Sequence, residues 1–152
     1  MESWWAVYVS LNEAIEVGRR AECKVQVSHV KCDSKAVWGT ADKYINLLES
    51  ANKEGIDIAG DQYPYNRWST SLAGGLFPIW AQSGGREETL KRMANEDLRA
   101  VIIDDLNTLF ARRKGPEAVM IGRYSEDESF EGKNLVEISE IMHTNPAEAV
   151  LR

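Results

Sequence analysis

Two segments of this chain end in side chains that can do chemistry together. The first is Val25-Gln26-Val27-Ser28-His29-Val30-Lys31, an alternating run that reads as a strand with His29 at its tip. The second is Ile56–Gly60, short and apolar, which opens at Asp61 into Gln62-Tyr63-Pro64-Tyr65 and then Ser69-Thr70. An imidazole can ligate a metal as the neutral base or move a proton. Lys31 can neutralise an anionic group of a substrate. Asp61, Tyr63 and Ser69 can line a polar pocket. Each of these residues also has a plainer reading. His29 can be tucked into a polar pocket, Lys31 can be solvated, and Asp61 with its prolines and serines can simply make a turn. Their placement behind two strands is what raises the chemical reading. Strands of one sense joined by a helix bring both tips to one sheet edge, where α/β enzymes carry their sites.

The elements that must position these residues follow from periodicity. Val7, Leu11, Ala14, Ile15 and Gly18 fall at helical spacing between Val7 and Arg20. Lys24–Val30 switches to period two. Thr40 is placed to cap a helix whose face is Tyr44, Leu47, Leu48 and Ala51, and Gly55 closes it. The order helix, strand, helix, strand predicts a parallel sheet with crossover helices. After Asp61 the chain changes style. Tyr63–Pro78 reads as a long loop, Arg86–Asn95 as a short charged helix, and Glu96–Arg112 as a longer one. The stripe of that longer helix is Leu98, Val101, Ile102, Leu106, Leu109 and Phe110. Lys114-Gly115-Pro116 ends it. Ala118–Ile121 is expected to be a short strand, and Tyr124–Lys133 a polar surface loop. Asn134 is expected to cap a helix through Met142, and Asn145-Pro146 to start another that is still running at Arg152.

Composition narrows the class. The chain has 152 residues, 43% of them hydrophobic, and a net charge of −6. This is one domain or a piece of one. The acidic balance argues against a nucleic-acid partner, which needs clustered Lys and Arg. No apolar run approaches the roughly 20 residues that span a bilayer, so no membrane partner is expected. Glu2 with Trp4 and Trp5 does not make the basic and then apolar start of a signal peptide. Cys23 and Cys32 bracket the first strand. A strand of that length spans on the order of 20 Å, beyond the ~7 Å reach of a disulfide. Both are read as free thiols in a reducing, cytoplasmic setting. The five tryptophans are read as packing, His143 as a loop or cap residue, and Glu126-Asp127-Glu128 as solvated surface.

In combination these motifs resemble a known family. Ser28-His29-Val30-Lys31, Trp38-Gly39, Asp61-Gln62-Tyr63-Pro64-Tyr65 and Ser69-Thr70 look like the N-acyl-D-amino-acid deacylases, the D-aminoacylase branch of the amidohydrolase superfamily. Gly84-Gly85, Asn95-Glu96-Asp97-Leu98-Arg99, and Leu135–Asn145 with Pro146-Ala147-Glu148-Ala149 extend the likeness over nearly the whole chain.

The resemblance implies an α/β fold: a partial (β/α)8 barrel segment of two to three parallel strands with helices, plus a mainly helical insertion. Residues 1–63 would be the barrel segment, and residues 64–152 the insertion and a truncated continuation of the barrel. It implies zinc as cofactor, which polarises the amide carbonyl and lowers the pKa of bound water so that water can attack. It implies an N-acyl amino acid carboxylate as the small-molecule partner. His29 matches a metal-ligating strand histidine. Lys31, Tyr63 and Ser69 match positions that hold the substrate carboxylate, for which an ammonium and two hydroxyls are well suited. Asp61 matches a strand-tip residue without a metal role.

The family's His-X-His motif, bridging cysteine, preceding strand histidine, general-base aspartate and carboxylate-binding arginine have no counterpart here. Catalytic zinc takes about three protein ligands, and this chain offers one. The expectation is therefore an internal, inactive fragment of a deacylase, with no catalytic residue of its own. Its cut strand edges should drive self-association, which light scattering reads directly; a clean monomer would contradict it. The alternatives are another amidohydrolase, of the dihydroorotase or hydantoinase kind, acting on a cyclic amide, and a non-catalytic binding or assembly module.

Overall fold

The computed structural model describes residues 4–32 and 34–152, with side chains from Val7 onward. The readings that involve Glu2 and the side chains of Trp4 and Trp5 lie outside them. The chain divides into two compact units, Met1–Asn66 and Arg67–Arg152.

The first unit is built on α1 (Trp4–Ala21), β1 (Val25–Val27), α2 (Ala41–Lys53) and β2 (Ile58–Gly60). The two strands pair in parallel, with Val25 opposite Ile58 and Val27 opposite Gly60. Both helices bury the expected stripe. Leu11, Ile15 and Gly18 are buried on α1, and Tyr44 and Ala51 on α2. Ile15, Ala51, Ile56 and Ile58 form the core, with Val25, Val27, Leu47 and Leu48 against it.

Gly18 is what lets α1 come this close. A Cβ there would stand 2.9 Å from Val25 Cγ2 and 3.0 Å from Ile56 Cγ2. Gly55 ends α2 with φ 90°. Its N–H donates to Asn52 O, and the Ile56 N–H donates to Ala51 O. That is a Schellman closure, and it turns the chain into β2. Thr40 stands at the start of α2, but its hydroxyl does not cap: it donates back to Val37 O at 2.7 Å, across a short 3-10 turn at Lys35–Val37.

The second unit is helical: α3 (Leu72–Leu76), α4 (Ile79–Gln82), α5 (Arg86–Ala94), α6 (Glu96–Arg112), α7 (Leu135–Ile141) and α8 (Pro146–Val150). Its core gathers Leu76, Ala81, Ile102, Leu106, Phe110, Leu135, Ile138 and Ala147. The stripe of α6 is narrower than expected. Ile102 and Leu106 are fully buried, but Val101 is 49% exposed and Leu98 is also exposed.

Three other expectations are corrected. The stretch 63–78 contains α3, whose N-cap Ser71 accepts the Gly74 N–H at 3.0 Å. Ala118–Ile121 is not a strand but a single antiparallel bridge, Met120 to Asn134, because a 3-10 turn at Pro116–Ala118 occupies its start. The last helix ends at Val150, with Ala147 and Leu151 already buried.

Unlike Thr40, Asn134 caps its helix as expected. Asn134 and Glu137 make a reciprocal capping box. His143 sits just past α7 with φ 51°, its N–H on Glu140 O, while Thr144 N–H reaches Ser139 O. It fills the left-handed closing position usually given to glycine.

Trp38, Trp68 and Trp80 are each partly exposed. The Arg113 guanidinium stacks 5.1 Å from the Trp68 ring centroid, and Trp80 Nε1 donates to Asp105 at 2.9 Å. The two cysteines are free. Among the described residues, no helix is long and apolar enough to cross a membrane.

Candidate functional site

The site begins where the two strands end. β1 stops at Val27, two residues before His29, so the histidine is not the last residue of a strand as expected. Ser28 and His29 form a turn, and His29 has φ 59°. This left-handed region is uncommon for a residue with a Cβ, although histidine enters it more often than most.

The hydrogen-bond ladder shows why the turn forms. Val25 N–H donates to Asp57 O. Stepping four residues along both strands would bring the amide of residue 29 to the carbonyl of residue 61. Instead Val30 N–H takes the Asp61 carbonyl at 2.9 Å, and Asp61 N–H donates to Val27 O at 3.1 Å. One extra residue is therefore accommodated on the β1 side. This is a bulge, the device that re-aims side chains beside active sites.

His29 is exposed, and its ring lies 5.7 Å from the Tyr63 ring, centroid to centroid, tilted by 54°. Lys31 Nζ stands 5.7 Å from the same Tyr63 centroid, a cation facing an aromatic ring. Tyr63 is half-buried. Its hydroxyl is buried and has no hydrogen-bond partner among the described residues. Pro64 follows it and biases Tyr63 toward extended backbone, so the chain runs straight out of β2 past the tip of β1.

The structure thus brings together three of the four residues singled out from the sequence: His29, Lys31 and Tyr63. The fourth, Ser69, is exposed and belongs to the second unit.

Asp61 and Gln26 are the residues whose part was missed. Asp61 accepts the His29 backbone N–H on Oδ1 and the Gln26 side-chain amide on Oδ2, each at 2.9 Å. The His29 amide first, then Gln26 and the Ser28 hydroxyl, hold the Asp61 carboxyl below the ordinary aspartate range. Gln26 points outward on β1, as its even register in an alternating strand predicts, so a polar side chain there was a signal available for reading.

The donor set does not complete a metal site. Among the described residues no three of His, Cys, Asp and Glu cluster as a metal would need. His29 is a single imidazole at the rim. A cavity of the first unit lies elsewhere. It measures 450 Å³ and is lined by Gly18, Arg19, Cys23, Glu54 and Ile56, at the start of the strands rather than their tips. Its walls carry the exposed pairs Arg19–Glu54 and Lys24–Asp57.

A parallel strand pair whose tips carry an imidazole, an ammonium and a phenol is the kind of edge at which α/β proteins place their sites. No family model matches the chain. The chain is 39% identical over 67 residues to the N-acyl-D-glutamate deacylase of Alcaligenes xylosoxydans xylosoxydans, covering 44% of this chain and 14% of that relative. Among solved structures it is similar to the N-acyl-D-glutamate deacylase of Bordetella bronchiseptica, complexed with zinc and a phosphonate inhibitor that mimics the tetrahedral intermediate. That likeness has a TM-score of 0.62 at 19% identity, and it covers 93% of this chain and 22% of the other. The first of these bears out the resemblance to the N-acyl-D-amino-acid deacylases over the 67 matched residues, and the second supports the fold. The chain spans about a seventh to a fifth of the length of these relatives.

Proposed function

We propose that this chain is part of a zinc-dependent hydrolase that removes the acyl group from N-acyl-D-amino acids. The observation that carries this reading is the grouping of His29 and Lys31 around Tyr63 at the tips of a parallel strand pair, in a chain similar to N-acyl-D-glutamate deacylases. In this reading residues 1–63 are a segment of a (β/α)8 barrel, and residues 64–152 are mainly a helical insertion. His29 is one metal ligand. Lys31 and the Tyr63 hydroxyl hold the substrate's carboxylate; Ser69 has this role by the family resemblance alone. A buried phenol that has no partner among the described residues is costly until something accepts a hydrogen bond from it, and a carboxylate is such an acceptor.

The described residues do not hold zinc by themselves. The remaining ligands and the general base are assigned to other parts of a longer polypeptide, as are the activity and the zinc. Two free thiols suit a reducing compartment, and we propose a cytoplasmic setting.

The test is hydrolysis of N-acyl-D-glutamate, the substrate after which both relatives are named, with and without zinc. The polypeptide that contains this chain is expected to turn over in a chelator-sensitive way, and residues 1–152 alone are expected to show no turnover. Zinc-dependent turnover by the isolated chain, or none by the longer polypeptide, contradicts the proposal.

A further inference from the structure

We infer that Asp61 is a positioning residue for His29, acting through the backbone rather than through the imidazole. The inference gives functional sense to the reading of His29 as a metal ligand and rests on it for that sense alone. The geometry stands without metal.

The bulge gives the carbonyl of Asp61 to Val30 and leaves the His29 amide with no ladder partner. An exposed, left-handed residue at a strand tip has little reason to stay ordered, since that conformation costs on the order of 1 kcal/mol or more for a residue with a Cβ. Asp61 Oδ1 replaces the missing acceptor at 2.9 Å, and Gln26 fixes the second oxygen at 2.9 Å, so the carboxylate cannot rotate away. The main chain of Asp61 is bonded to Val27 and to Val30, on either side of the turn. One residue therefore clamps 26–30 through two main-chain bonds and through its carboxylate, which holds the His29 amide and the Gln26 side chain. The clamped conformer is the one that sets the imidazole 5.7 Å from Tyr63. Pre-set ligands of this kind spare a site the ordering cost at the moment of binding.

The experiment is NMR on the metal-free chain, reading two quantities at His29: amide hydrogen exchange, and the ring-proton shift produced by the neighbouring Tyr63 ring. Asp61→Ala is expected to speed exchange at His29 by about tenfold or more, the effect of losing a charge-assisted bond. The Val25 amide should be unchanged. The His29 ring shift should move to the value seen in Tyr63→Leu. Asp61→Asn keeps an acceptor oxygen and should restore both readouts to within about threefold of native exchange. If Asp61→Ala leaves both readouts native, or speeds exchange equally at Val25 and Ile58, the inference is overturned. Should Asp61→Ala not fold, Gln26→Ala carries the test. Exchange at His29 should rise about threefold with Val25 unchanged, and no rise overturns the inference. Failure of the zinc reading would appear in zinc-dependent turnover and would leave these signals untouched.

Discussion

His29, Lys31 and Tyr63 differ in how they were legible. Type and order marked all three, because an imidazole, an ammonium and a phenol that follow two apolar runs share an edge if the runs are parallel strands, as they are. What the alternation concealed was the stop at Val27. Period two continues through Ser28 and His29 in the sequence, yet the ladder slips there, and a side chain, Asp61 Oδ1, takes the His29 amide that the ladder leaves. Side-chain acceptors of this sort leave no periodic signal. At this scale the account predicts a division of labour. In the longer polypeptide, Lys31→Ala and Tyr63→Phe should each lower kcat/KM about 10- to 100-fold, since each removes a contact to the substrate carboxylate. Steady-state kinetics on an N-acyl-D-amino acid and on its amide, which lacks the carboxylate, checks this. The amide should be handled equally by native protein and variants.

Among the elements, the helices were the most readable. Glu96–Arg112 was marked by its apolar stripe and by Lys114-Gly115-Pro116, the charged Arg86–Asn95 follows Gly84-Gly85 and is observed as Arg86–Ala94, and Asn134 and Asn145-Pro146 marked the starts of the last two helices. The buried face of α6 was less so, because a broad apolar stripe does not say which of its edges faces solvent. Ile102 and Leu106 are the centre, and Val101 lies outside it. Leu106→Ala should therefore destabilise the second unit by about 2–5 kcal/mol, and Val101→Ala by less than about 0.5 kcal/mol, in denaturant melts.

On α1 the pairs of Glu16 with Arg20 and Arg19 hold the Glu16 carboxyl below its ordinary value, and Arg19 reaches on to Glu54. A depressed carboxylate stabilises the fold above its unfolded pKa, and that contribution is lost as pH falls through the folded value. Thermal midpoints should fall on acidification below about pH 4.5. The Glu16→Gln variant should show a smaller fall, and added salt should narrow the difference between the two. An equal fall in both proteins would remove Glu16 from the account. Short strands were the least readable. Three-residue β1 and β2 carry little pattern of their own and are fixed by the helices that cover them, while the isolated bridge at Met120 is set by the turn that precedes it.

For the whole molecule, the structure shows two compact units with separate cores, and among the described residues no three metal-ligating side chains cluster. The motif combination was legible because each strand-tip residue is constrained by chemistry. A metal centre was not legible as a whole: among the described residues no three of His, Cys, Asp and Glu cluster, and the zinc role of His29 rests on the proposed reading. The claim on which the rest depends is that the His29 imidazole binds zinc in the longer polypeptide. Zinc content and turnover measured together on His29→Asn test it most directly. The account predicts that bound zinc falls below the native stoichiometry and that N-acyl-D-amino-acid hydrolysis drops by about a thousandfold or more, with the fold intact. Full zinc content with native turnover in that variant would contradict it.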